Sequence, residues 1–259
     1  MENLEFDDEA TQVLEAFNAS PGARMRRVQI LQALDLAAGH SVLDVGSGPG
    51  HQAAEISPLI GPQGLVEGID IEDSANSTAR ARCAGLANVH FRVGDTYALP
   101  FDDAGFDRVL SSQVFEYLPD IPGALAEIFR VLKPRGRVLI HDTDWGTLIW
   151  PSSDQKNAGH ILDVWDGHLA DPYLPRTLGS RLSEAGFTDI KATPIVQVET
   201  VFDAQSLSAA MINFVAGYVV SQGVAPAQVD VWAADLRGRQ APGSYFFSLN
   251  EYIFTATKA

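Results

Sequence analysis

Cysteine is almost missing from the chain: Cys83 is the only one in 259 residues. That excludes an internal disulfide and fits a reducing compartment. Basic residues are also scarce. Eighteen Lys and Arg stand against 33 Asp and Glu, a formal net charge of −15. A surface of that sign repels phosphate backbones, so nucleic acid is not an expected partner. No apolar run is long enough to cross a bilayer. The opening "MENLEFDDEA" lacks a basic n-region and an apolar h-region, so no signal peptide is expected and the cytoplasm is the expected location. The six histidines have no ligand-like spacing, and no metal site is expected.

What is present is a chain that is 46% hydrophobic, enough for one sizeable core. Helical spacing predicts a short helix over 8–19, broken at Ser20-Pro21-Gly22, and a second over about 24–37. Strands and helices then alternate. "SVLDVG", "GLVEGID", "NVHFRVGD", "FDRVLSSQ" and "GRVLIHDTD" read as strands, with "HQAAEISPLI", "DSANSTARARCAG" and "PGALAEIFRVLKP" as helices between them. That order predicts a doubly wound α/β fold, a parallel sheet with helices on both faces. Residues 144–176 carry Trp145, Trp150, Trp165 and Tyr173 but no clear strand. "TLGSRLSEAGF" reads as a helix, and "TDIKATPIVQVETVF" as a strand that its proline confines to an edge or a bulge. Residues 204–240 read as helical, and "SYFFSLNEYIFTATK" as a closing strand. The expected organisation is one domain over 1–259. It has N-terminal helices over 1–38, a core over 39–143, and insertions at 144–176 and 204–240.

Three glycines at alternate positions, Gly46, Gly48 and Gly50, follow the first strand in "LDVGSGPG". Such a loop can cradle a phosphate, hold a nucleoside or simply make a tight turn. A dinucleotide fingerprint requires a small residue where His51 stands. Asp70 ends the second strand, where a carboxylate can accept hydrogen bonds from both hydroxyls of a ribose. Asp95 ends the third. With Asp44 at the end of the first strand, three acids stand at successive strand ends; with no lysine or arginine in the loop, they favour a nucleoside that carries positive charge and lacks phosphate.

Together "VLDVGSGPG", "GID", "GDTYALPF", "FDRVLSSQVFEYLPD" and "EIFRVLKPRGRVLIHD" resemble class I S-adenosylmethionine-dependent methyltransferases. The likeness is to the small-molecule branch that includes the ubiquinone and menaquinone biosynthesis enzymes, over roughly residues 40–143. The resemblance implies a Rossmann-like seven-stranded sheet whose last strand is antiparallel. It implies S-adenosylmethionine as cofactor and S-adenosylhomocysteine as its product. By position it places Asp44, Gly46, Gly48 and Gly50 against the methionine portion and sugar. Asp70 falls on the ribose, Ile71 on adenine, Asp95 and Thr96 at the adenine amino group, and Gln113 towards the methionine end.

Methyl transfer needs alignment, and needs a base only if the acceptor must lose a proton. Asp144 and His141 in "IHDTDW" are the expected candidates for that role. Strand alternation allows at most one of His141 and Asp142 to face the site. Trp145, Trp150, His168, Tyr173, Phe214 and Tyr218 are expected around the acceptor, with residues 204–240 as a lid. Glu116 and Tyr117 form a second polar rim. The expected activity is methylation of a small, largely apolar molecule at oxygen, nitrogen or carbon, in secondary metabolism or cofactor biosynthesis, by a monomer or homodimer. The alternative is a pericyclase or cyclase that keeps the cofactor without methylating.

Overall fold

A computed structural model describes Asn18 and residues 21–259. The expected helix over 8–19 lies outside them, Asn18 apart. Helix α1 (Pro21–Leu34) leads into β1 (Ser41–Val45), α2 (His51–Ile60), β2 (Leu65–Asp70), α3 (Asp73–Arg82), β3 (Val89–Val93) and β4 (Phe106–Ser112). There follow a short 3₁₀ turn (Phe115–Tyr117), α4 (Ile121–Val131), β5 (Leu132–Ile149), α5 (Gln155–Asp166), α6 (Pro175–Glu184) and β6 (Phe187–Glu199). The chain closes with α7 (Leu207–Ser221), α8 (Pro226–Gly238) and β7 (Phe247–Lys258). The seven strands lie in the order β3-β2-β1-β4-β5-β7-β6. Strands β1 to β5 pair in parallel, and β7 runs antiparallel. The strand order reverses between β1 and β4, which opens a crevice at their carboxyl ends, the usual ligand position in such sheets.

The sequence explains these elements locally. In β1 the four residues from Val42 to Val45 are all buried, as a strand covered on both faces requires. In α4, Ile121, Ala124, Leu125, Ile128 and Val131 form the buried stripe, and the Asp120 side chain caps the helix by accepting from the Gly123 N–H at 3.0 Å. Strand β6, with its proline, is the edge of the sheet.

Two points differ from the sequence reading. Strand β5 does not stop at residue 144 but continues to Ile149, 18 residues in all, so the stretch read as lacking a strand begins with one. Residues 155–166 then form α5.

Packing divides the chain into two compact units. One comprises Arg27–Thr143, Tyr173–Pro194 and Glu251–Ala259. Its core includes Leu43, Val45, Val109, Leu125, Ile140 and Phe254. The other comprises Asp144–Pro172 and Ile195–Asn250, with the described residues up to Arg26. Its core is rich in aromatic rings, including Trp150, Trp165, Trp232 and Phe247. Among the described residues no helix is long and apolar enough to cross a membrane.

Candidate functional site

The glycine loop folds back on the end of β2. The Gly46 and Ser47 N–H groups both donate to the Ile69 carbonyl, at 2.8 and 3.0 Å, and the Gly48 N–H donates to Asp70 Oδ2 at 2.8 Å. Asp70 Oδ1 accepts from the Glu72 N–H at 3.0 Å. Asp70 therefore fixes the loop as well as standing beside it. All three glycines have left-handed φ (70°, 50° and 79°), but for different neighbours. A Cβ on Gly46 would lie 2.2 Å from Val114, and one on Gly50 would strike Ala79 and Phe91. A Cβ on Gly48 would meet nothing within 4 Å. Of the three, Gly48 alone borders open space.

Beneath the loop lies Asp44, fully buried, with neither carboxylate oxygen hydrogen-bonded. The sheet register explains this. Asp44 pairs with Gly68 on one side and with Leu110 on the other, a bare backbone and an apolar side chain. Burial, with the Asp70 charge adding to it, pushes the Asp44 carboxyl up to about 7. Ser47 Oγ, over Gly68, and Ser111 Oγ, on β4, are also buried without partners. Both serines lie within the quoted stretches "LDVGSGPG" and "FDRVLSSQ", yet sequence reading singled out neither.

The remaining predicted cofactor residues occupy the same edge of this unit. Ile71, directly after Asp70, is 67% exposed, an unusual position for a large aliphatic side chain. Asp95 is exposed and accepts from the Tyr97 N–H at 2.9 Å, with Thr96 half-buried beside it. Gln113 adopts a left-handed φ of 59°, which costs a non-glycine residue about 1–2 kcal/mol. Its N–H donates to the His141 carbonyl at 2.7 Å, its Oε1 accepts from Thr143 Oγ1 at 3.0 Å, and its Nε2 is buried without an acceptor. A strained backbone that leaves an amide donor unused is a common mark of a ligand contact. Asn76, buried and missed from sequence, ties α3 to β2 by donating to the Asp70 and Glu72 carbonyls.

Past the midpoint of β5 the polar side chains are enclosed. His141 and Asp142 are both buried, because both faces of the sheet are covered. The His141 ring bridges its neighbours, with Nδ1 2.9 Å from Ser112 Oγ and Nε2 3.1 Å from Glu251 Oε2. Those contacts commit the imidazole to holding β4, β5 and β7 together. Asp142 Oδ1 accepts from the Val114 N–H at 3.1 Å, and burial next to Glu116 raises its carboxyl well above the usual range. Asp144 is buried and its Oδ1 accepts from the Gly146 N–H at 3.1 Å. The loop itself carries no cation, yet Arg82, at the end of α3, donates to its Pro49 carbonyl at 2.7 Å.

In the aromatic-rich unit, Trp145, His168 and Tyr218 meet around Trp165. The ring centroids lie 5.5, 3.9 and 5.7 Å from that indole. Burial lowers His168 to about 4, so the ring is neutral at pH 7, and Nδ1 bonds the Trp165 carbonyl. Phe214 is half-buried on α7, against the core of this unit. Trp150 is not part of this cluster. It packs on Trp232 and Phe247 and donates to Tyr245 Oη at 3.2 Å. Tyr245 donates in turn to Ser208 Oγ, and Ser208 to Glu199. Tyr173 belongs to the other unit, is 42% exposed, and lies under the Arg176 guanidinium at 4.5 Å.

The glycine-loop edge can therefore bind a cationic nucleoside without phosphate: the residues offer carboxylates, an amide donor, an open backbone and one exposed aliphatic platform. The chain is similar to known proteins in both sequence and fold. A family model described as a methyltransferase domain matches residues 36–176. An uncharacterized 37.1 kDa protein in transposon Tn4556 of Streptomyces fradiae is 30% identical over 246 residues, covering 94% of this chain and 70% of that protein. The demethylmenaquinone methyltransferase of Lactococcus lactis is 36% identical over 124 residues, 47% of this chain and 49% of the relative. The chain thus spans only about half the length of that relative. Among solved structures, phosphoethanolamine N-methyltransferase 2 of Haemonchus contortus, in complex with S-adenosyl-L-methionine, has a TM-score of 0.62 at 20% identity. The match covers 96% of this chain and 57% of that one. The [4+2]-cyclase SpnF has a TM-score of 0.57 at 22% identity, over 91% and 80%.

Proposed function

The chain belongs to the class I S-adenosylmethionine-dependent methyltransferases, and we propose that it moves a methyl group from that cofactor to a small, largely apolar molecule. The observation that carries this reading is the glycine-loop edge. Asp44's oxygens lack partners there, Gly48 borders open space, and Asp70 stands at the next strand end. These residues fit the cofactor. Asp70 is assigned the ribose hydroxyls, Ile71 the adenine face, Asp95 and Thr96 the adenine amino group. Gln113 and the backbone of Gly46, Gly48 and Gly50 are assigned the methionine end, together with Asp44.

The cofactor, when bound, supplies a methyl group already activated on a sulfonium. The protein's work is then alignment and exclusion of water, which can lower a barrier by about 7–11 kcal/mol where reacting atoms are held close. No base is required unless the acceptor must lose a proton. For such an acceptor we assign the proton to Asp144, since His141 is engaged with Ser112 and Glu251. The acceptor class is supported by the aromatic side chains Trp145, His168 and Tyr218 and by the Lactococcus relative, whose name places its acceptor among menaquinone precursors. The cytoplasm, as monomer or homodimer and without nucleic acid, is the setting we propose.

Asp70→Ala should weaken S-adenosylhomocysteine binding by about 1.5–3 kcal/mol, roughly 10- to 150-fold, since hydrogen bonds to a charged acceptor are lost. Titration calorimetry on the folded variant reads this directly; unchanged affinity would remove Asp70 from the site. Replacing Phe214 and Tyr218 together with alanine should leave that affinity near wild type. With labelled donor and a panel of small apolar acceptors, the acceptor KM should rise or kcat fall. Normal kinetics together with a changed oligomeric state would mark α7 as an interface. Products of unchanged mass would point to cyclisation rather than methylation.

A further inference from the structure

Between β3 and β4 the chain runs through residues 94–105 with no helix or strand of its own, and Asp95 and Thr96 stand near its start. Such a segment holds one conformation only if its backbone groups find partners elsewhere. One pair of side chains on α4 supplies several of them. Glu127 Oε2 accepts from the Leu99 N–H at 2.8 Å, and Arg130 Nη2 donates to the Leu99 carbonyl at 2.9 Å. Arg130 Nη1 donates to the Phe101 carbonyl at 2.7 Å and to Asp103 Oδ1 at 2.9 Å. The guanidinium also holds Glu127 as a fork, Nε to Oε1 and Nη2 to Oε2, both at 2.8 Å. All five of its N–H donors are thereby placed.

The link from this pair to Asp95 is short. The Ala98 N–H donates to the Asp95 carbonyl at 3.1 Å and the Tyr97 N–H to Asp95 Oδ1 at 2.9 Å, so a closed turn joins Asp95 to the residue before Leu99. Tyr97 Oη accepts from the N–H of Asp120, the N-cap of α4, at 3.2 Å. Upstream, the Gly94 N–H donates to the Asp70 carbonyl at 3.1 Å. Asp95 is thus held on one side by the end of β2 and on the other by α4. The side chains of Arg130 and Glu127 are 31% and 21% exposed, and an ion pair so placed adds little to stability. Its geometry is the distinctive part. A planar fork reaches two carbonyls and two carboxylates together, which an ammonium with three donors cannot do. The Arg130 bonds hold the Glu127 carboxyl below its ordinary range, so it remains an acceptor at neutral pH.

Resting on the cofactor reading above, we propose that Glu127 and Arg130 are positioning residues for the adenine end of the cofactor. They act through Asp95, by fixing the turn that aims its carboxylate. They thereby set how well the site distinguishes an amino-purine nucleoside from one that carries oxygen in place of the amino group.

The test is titration calorimetry of the whole chain with S-adenosylhomocysteine and with S-inosylhomocysteine, which has that oxygen. Wild type should favour the adenosyl ligand by about 10- to 150-fold, the range for a hydrogen bond to a charged acceptor. Arg130→Lys keeps the charge and loses the fork, and the preference should drop about tenfold. Glu127→Gln keeps an acceptor for the Leu99 N–H and loses the paired charge; it should shift the preference the same way, by less. Asp95→Ala should abolish the preference, and adding Arg130→Lys to it should change the ratio no further. A pair with a purely structural role would lower the melting temperature and weaken both ligands alike. An unchanged ratio in folded Arg130→Lys or Glu127→Gln therefore overturns this inference alone, as does a further change in the double variant. A wild type that binds S-adenosylhomocysteine without preference removes Asp95 from the adenine end, and this inference with it. Failure of S-adenosylhomocysteine to bind at all overturns the cofactor reading itself.

Discussion

Gly48→Val is expected to abolish cofactor binding while leaving the protein folded. The space next to Gly48 is open, and an added Cβ meets nothing within 4 Å. It enters the volume assigned to the ligand. The backbone cost is about 1–2 kcal/mol, because φ at this position is 50° and a β-branched residue resists that region. Gly46→Ala serves as the contrast. Its Cβ would overlap Val114 at 2.2 Å, so that variant should lose stability first and affinity only as a consequence. Calorimetry with S-adenosylhomocysteine, paired with thermal melts, separates the two. Wild-type affinity in Gly48→Val would reduce the glycine loop to a turn.

The second large effect is on stability. The Asp44 carboxyl is raised in the folded chain from 3.8 to about 7. The folded state then holds its proton more tightly than the unfolded state. The resulting contribution is fully present below about pH 4 and is lost as pH rises through about 7. Three pH units correspond to roughly 4 kcal/mol. Asp44→Asn carries no such titration, so the stability of the variant relative to wild type should climb by about that amount between pH 4 and 8. Urea denaturation of both proteins across that range gives the difference, in which the other titrating groups cancel. Parallel curves would mean that Asp44 is ionised in the free protein at neutral pH.

Much of this molecule was legible from local pattern. The alternation of strands and helices up to β5 depends on apolar runs and turn residues that each segment carries in itself, and the glycine loop is marked by its own spacing. What escaped depends on partners far away in sequence. The stretch "IHDTDWGTLI" looks too polar for a long strand. It becomes one because His141 meets Glu251, 110 residues on, and because Asp142 caps the Val114 backbone. Trp145 and Trp150 are five residues apart and equally aromatic. Yet one joins Trp165 and His168, and the other is fixed in the core by Trp232, Phe247 and Tyr245. Gly46, Gly48 and Gly50 read alike in sequence, and only the residues packed behind them separate a steric requirement from an opening.

The position of β7 bears on how the chain comes together during synthesis. It is the last strand made, yet it lies between β5 and β6. When β6 leaves the ribosome, the strand it must pair with does not exist. Its backbone donors and acceptors stay unpaired while α7 and α8, together some 50 residues with their connections, are translated. The half of the sheet from β3 to β5 can form early, from neighbours close in sequence; the other half must wait for β7 and then close in one late step. During that interval Val196 and Val198 on β6, exposed even in the finished fold, belong to an unattached strand. Such a strand is open to chaperones, and to the wrong neighbour.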